Sequence, residues 1–251
     1  MDTSATGTAF PRRELTDGDD WAVRYVRSYL VLRMVVGVFG ILLPVIMIMG
    51  EWLVLRGGVR VRGSLSAYYH SSMRDLFVAT LAVTGVLLAT YLAAEPRTRE
   101  FWYSLIAGVA VLGVAFLPTE RPGLLDGAAR CGSTPMPSGC SPAQQQFGEE
   151  TTATLHFACA AIFILSLARI SSLFARDAAR HRARGIAVVQ RICSGIIVVA
   201  VVGVVAGELL DLELWRITPL YAGEVVSVWA FGISWLLASR DLTGRLAHPR
   251  P

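Results

Sequence analysis

The sequence predicts an all-α fold: a polytopic membrane helix bundle of about six transmembrane helices, with the N- and C-termini both in the cytoplasm. Three observations predict it. Hydrophobic residues make up 54% of the 251 residues and charged residues only 17%, against about 25% charged in a soluble domain. The charges are gathered between long apolar runs rather than spread through them. The Arg residues are divided unevenly between the two sets of connecting segments, as membrane topology requires.

Residues 1–28 read as a polar cytoplasmic tail, acidic at Glu14, Asp17, Asp19 and Asp20. The tail lacks a charged-then-apolar leader layout, so the first apolar run is expected to remain as an anchor. The six-helix domain is placed at 29–239, with runs at roughly 29–50, 76–94, 101–118, 152–174, 191–207 and 217–239. Each approaches the ~20 residues that cross a ~30 Å hydrocarbon layer. Pro44 predicts a kink in the first run, which membrane helices tolerate. His156 and Arg169 interrupt the fourth run and Glu224 the sixth, so those two spans rest on length. Glycines recur in the third, fifth and sixth runs and predict close helix packing. Residues 176–191 read as a basic connector drawn to anionic headgroups, and 240–251 as a cytoplasmic C-terminal tail.

Orientation follows from the Arg residues, which supply all 23 basic side chains. With the N-terminus inside, sixteen lie on the cytoplasmic side and seven, including Arg56, Arg60, Arg62 and Arg74, on the other. The bias places the chain in the plasma (inner) membrane with both ends inside. The net charge of +4 belongs to this topology. No basic stripe with interleaved aromatics points to nucleic acid.

Cysteine usage bears on the same topology. Cys131 and Cys140 fall in the longest connection, 119–151, which the orientation puts outside, where disulfides persist. A bridge between them is expected, closing a short loop worth about 2.5–3 kcal/mol on the chain-entropy argument. Cys159 and Cys193 lie within apolar runs and read as small core residues.

Ionisable groups inside a membrane are costly, so each asks for a partner or a purpose. With alternating crossings, His70, Arg74, Asp75, His156, Glu208 and Glu224 converge on the outer third of the membrane. Asp211 and Glu213 follow just beyond Glu208, and Ser64, Ser66, Tyr68 and Tyr69 approach the same level. Three readings stay open. The cluster pairs carboxylates with Arg74 or His156 and sets helix register. Or His70, Asp75, His156 and Glu224 hold zinc and an activated water, although no HxxxH or HExxH spacing occurs. Or the cluster is an outward-facing pocket for a lipid headgroup or solute, with His156 and Glu224 as proton carriers in a proton-coupled transporter variant. The expected partners are membrane lipids and a membrane protein or a second copy of the chain. No phosphate loop, GxSxG elbow or CxxCH haem motif is present. His181 and His248 sit in polar basic segments and read as solvated.

Several motifs carry a resemblance. SLSAYYH at 64–70 is followed by MRDLFV at 73–78, VAFLP at 114–118, LHF at 155–157, and Glu224 before VWAFGISWLL at 228–237. This series resembles an uncharacterised bacterial six-helix membrane protein family, a domain of unknown function of the Frag1/DRAM-like group, across roughly 60–240. The resemblance implies a six-helix bundle in the cell membrane and no established activity. More remotely, the order Ser66, His70, Asp75 is similar to that of ceramidase- and adiponectin-receptor-like membrane hydrolases, which would imply a metal-dependent hydrolase acting on a lipid. In that case His156 and Glu224 would stand in for the paired histidines those enzymes carry on a seventh helix.

Overall fold

In a computed structural model, the structure describes residues 17–55, 61–90, 96–123, 127–210, 212 and 217–247. Most of the polar tail, the end of the second apolar run at 91–94, Asp211, Glu213 and His248 lie outside the described residues. The helices are α1 (Asp17–Leu55), α2 (Arg74–Thr90), α3 (Arg99–Phe116), α4 (Pro142–Phe147), α5 (Glu149–Arg180), α6 (Arg184–Leu209) and α7 (Pro219–Ala247). A short 3-10 helix spans Ser66–His70. Among the described residues five helices, all but α2 and α4, are long and apolar enough to cross a membrane, as in a helical membrane protein.

The helices outrun their apolar runs, because helicity does not stop where hydrocarbon stops. α1 is already helical at Asp17, inside the segment expected to be a tail. The basic 176–191 connector is almost wholly helical, split only by a turn between α5 and α6. Its Ala and Arg residues are strong helix formers, and a polar composition there does not imply a loop. In that turn Arg182 adopts φ 61°, a left-handed conformation that costs a side-chain-bearing residue about 1 kcal/mol. Arg182→Gly is therefore expected to raise stability by roughly 0.5–1 kcal/mol, read as a higher Tm in detergent; an unchanged or lower Tm would count against the strain.

Local capping sets other boundaries. The Thr98 side chain accepts from the Phe101 N–H and starts α3. Ser141 and Gln144 form a reciprocal capping box around Pro142 and start α4. Pro44 lies within α1, which continues to Leu55. The Trp229 indole N–H of α7 donates to the Ile41 carbonyl at 2.9 Å, in the turn that Pro44 loosens.

Packing follows a ring: α1 on α2, α2 on α3, α3 on α5, α5 on α6, α6 on α7, with α7 closing on α1 and also touching α5. Small residues allow the close crossings. A Cβ on Gly108 would lie 2.6 Å from the Gly85 carbonyl, and one on Gly232 2.8 Å from the Gly37 carbonyl. The glycine expectation holds for these positions but not for Gly195 and Gly203 in α6, which face open space. At the end of the bundle away from the 3-10 helix, Trp235 is buried against Phe174 and Phe231. Arg33 is buried beside them: its Nε donates to Ser239 Oγ at 3.0 Å, and its guanidinium lies over Phe174 and Trp235. A residue that composition assigns to the cytoplasmic rim is thus a packed core cation. The opposite end carries the 3-10 helix and the Cys131–Cys140 disulfide, with Cα atoms 5.7 Å apart. The expected pairing is present.

Candidate functional site

The short 3-10 helix, capped by Leu65 and started by Ser66, lies in the connection between α1 and α2. Its geometry is set locally: Ser64 Oγ accepts from the Ala67 N–H at 3.0 Å, and the Ser71 hydroxyl donates to the Tyr68 carbonyl at 2.7 Å. This turn aims the Ser66 side chain at two others from distant helices. Ser66 Oγ lies 2.9 Å from His156 Nε2 of α5 and 3.4 Å from Glu224 Oε1 of α7. The Leu65 N–H donates to Glu224 Oε2 at 2.6 Å. His156 Nδ1 sits 2.5 Å from the carbonyl of Leu117, at the end of α3.

Proton positions follow from these partners. A carbonyl only accepts, so His156 Nδ1 carries a proton and donates to Leu117. In a neutral imidazole Nε2 then holds a lone pair, and the Ser66 hydroxyl donates to it. The hydroxyl has one proton, and the 2.9 Å contact outcompetes the 3.4 Å one. Glu224 Oε1 is left with only the long contact. No described cation forms an ion pair with Glu224, so the carboxyl group depends on the Leu65 N–H and on what enters beside it.

What lies beside it is a cavity of about 230 Å³. Ser66 and Glu224 line one part of it, and Ser227 adds a hydroxyl. The remaining wall is almost entirely hydrocarbon, from Leu43, Leu65, Phe77, Leu81, Val114, Phe163, Ile164 and Val228 among others. Phe157, Ala161 and Val205, which also line it, are exposed on α5 and α6. The cavity therefore reaches the flank of the bundle, with polar groups confined to one region.

The sequence-derived set divides on this geometry. Ser66, His156 and Glu224 are brought together. Ser64 is buried and serves the turn, and Tyr68 is fully buried. The Tyr69 hydroxyl accepts from Arg74 Nη2 at 2.8 Å, and the guanidinium lies 4.5 Å from the Tyr69 ring. Arg74 thus binds a tyrosine, not a carboxylate as expected. His70 Nε2 donates to the Thr119 carbonyl at 2.9 Å, and burial holds this imidazole below its ordinary range.

Asp75 and Glu208 do not join the cluster: both are exposed. Their helices turn them away from it. Asp75, in the first turn of α2, instead suits the positive end of the helix dipole. The four-residue zinc set His70, Asp75, His156 and Glu224 is consequently not assembled. Among the described residues no group of three or more His, Cys, Asp or Glu side chains is placed to hold a metal ion. Each histidine has one ring nitrogen on a backbone carbonyl, and Asp75 faces outward.

Two buried ion pairs at this end have no counterpart in the sequence reading. Glu51, with its side chain 2% exposed, pairs with Arg62 through contacts of 2.5, 3.1 and 3.2 Å. Glu149, at the start of α5, accepts from Arg121 and from the Cys131 N–H. The only local hint of the second was S-P-A-Q at 141–144, a legible capping box that orders the chain just before it. Cys159 and Cys193 are free, half-buried and buried respectively. His181 is exposed and accompanied by Asp177.

No family model, curated protein or solved structure matches this chain.

Proposed function

We propose that this protein crosses the plasma (inner) membrane six times, with both termini in the cytoplasm, and binds an amphiphile in its interior cavity. α2 provides the sixth crossing, and alternation from α1 to α7 puts the disulfide end outside. The outward cavity takes the acyl or alkyl chain of a lipid, and the Ser66–Glu224 region takes its head. The observation carrying this reading is the distribution of polarity: a hydrocarbon-walled cavity with one carboxyl group at a single place.

That carboxyl group also specifies the head. Glu224 accepts hydrogen bonds and has no described cation, so a matching head donates: an amine or a hydroxyl. A carboxylic acid or phosphate head would bring negative charge against it. The chain enters from the bilayer past Phe157, Ala161 and Val205.

The test uses photo-crosslinkable long-chain probes of equal length, one ending in a primary amine, one in an alcohol and one in a carboxylic acid, added to the protein in nanodiscs. The amine and alcohol are expected to crosslink to cavity residues of α5, α6 and α7. Glu224→Gln is expected to weaken the amine by about 10- to 100-fold, the worth of a charge-assisted hydrogen bond. A preference for the acid, or crosslinks confined to the outer surface, would overturn the assignment.

A further inference from the structure

We propose that Ser66 and His156 are a nucleophile and its base, and that the cavity holds an acyl amphiphile which they cleave. The proposal rests on the reading of the cavity as an amphiphile site. The need for a specific explanation comes from how other hydroxyls behave in these helices. Thr84, Thr90, Thr152, Thr154 and Ser239 each donate to a backbone carbonyl four residues earlier, and Ser104 and Ser194 donate to carbonyls of neighbouring helices. Ser66, at the start of the 3-10 turn, instead reaches a side chain 90 positions along the chain, an imidazole that is 1% exposed.

The imidazole is oriented for base catalysis. Leu117 holds the Nδ1 proton, so the Nε2 lone pair is aimed at Ser66 Oγ across 2.9 Å. Nucleophile to base and base to orienting acceptor are the two contacts that activate a serine. Here a backbone carbonyl takes the orienting role. Ser66 is also one of the residues that line the cavity, so a bound acyl group lies beside it. Glu224 lies on another side of the hydroxyl and accepts from an N–H or O–H of the substrate head, placing an N-acyl or O-acyl amphiphile with its chain along the apolar wall.

In the step itself Ser66 Oγ attacks the acyl carbon, its proton passes to His156 Nε2, and the carbonyl electron pair moves onto oxygen. On collapse the bond to the amine or alcohol breaks, and the leaving group takes the proton from Nε2. The resulting acyl-Ser66 ester is hydrolysed by water, the co-reactant, through the same proton path. This releases a carboxylic acid and restores the hydroxyl.

The experiment treats the protein in nanodiscs with a long-chain fluorophosphonate and maps the adduct by peptide mass. Phosphonylation of Ser66 is expected, at least about 100-fold slower in His156→Gln, the range a general base contributes, and competed by an N-acyl or O-acyl amphiphile. Ser66→Ala should abolish the adduct. If His156→Gln does not fold, the pH profile of labelling in the unmodified protein replaces it: the rate should fall as the imidazole protonates. Ser66 left unmodified while the photo-crosslinkable amine still enters the cavity would overturn the catalytic pair and leave the binding site standing. Ser66 labelled without any amine crosslink would do the reverse. Labelling indifferent to both His156→Gln and pH would overturn the role of His156.

Discussion

Glu149→Ala is expected to destabilise the protein by roughly 3–5 kcal/mol, the cost of stranding a buried ionic partner. The side chain of Glu149 is fully buried. Its Oε1 accepts from the Arg121 backbone N–H at 2.7 Å and from Arg121 Nε at 3.1 Å. Its Oε2 accepts from the Cys131 N–H at 3.1 Å and from Arg121 Nη2 at 3.2 Å. Arg121 in turn donates to the carbonyls of Ala129 and Ser138. One carboxylate therefore ties the end of the α3 connection, the disulfide loop and the start of α5 together. Alanine removes the acceptor for two backbone N–H groups and a cation at once. Faster proteolysis within 119–148 and a lower Tm in detergent should appear together, and Glu149→Gln should fall between. A loss below about 1 kcal/mol, typical of an exposed pair, would show the knot to be dispensable.

Arg62→Ala should have an effect of similar size, for a related reason at a different place. Glu51 lies in α1 with its side chain 2% exposed, and Arg62 is its cation among the described residues. Without Arg62 the buried carboxylate loses its partner among the described residues, at a cost of roughly 3–5 kcal/mol. Removing both partners should be far milder. A Glu51→Leu and Arg62→Leu double variant is expected to recover most of the loss, because apolar residues of similar volume replace a buried pair at little or no cost. The comparison is made by thermal unfolding of the single and double variants in one detergent. Equal destabilisation by both would assign the effect to Arg62 packing on Tyr68, whose ring centroid is 5.9 Å from the guanidinium. Arg62 stands just before the turn that carries Ser66, so Arg62→Ala should also lower amphiphile crosslinking.

The fold was legible because hydrocarbon imposes a length. Apolar runs of about 20 residues mark helices whatever their tertiary neighbours. The disulfide was legible because two cysteines fell in one connection. Of the candidate site, Ser66, His156 and Glu224 were legible as one level of the bundle, and they do meet. Asp75 and Glu208 show the limit of that reasoning. Position along a helix gives depth, but each residue also turns by about 100°. Whether a carboxylate faces the interior or the surroundings depends on how its helix is rotated against its neighbours, and no local pattern states that rotation. The two buried ion pairs were illegible for another reason. Glu149 lies at a boundary, and its partners, Arg121 and Cys131, come from a connection whose path is not periodic. Arg33 was misplaced because composition treats every arginine near a helix end as a rim charge, whereas Trp235 and Phe174 enclose this one.

By itself the sequence determined that this chain is a bundle of apolar helices and roughly where each lies, and it offered a set of ionisable residues expected at one level. Those properties depend on composition over stretches of a few turns. Tertiary structure decided which of those residues touch, which nitrogen of His156 holds the proton, and that a cavity opens beside Glu224. Contacts of 2.5–3 Å are set by helix rotation and by the path of short connections, which only the packing of the whole chain specifies.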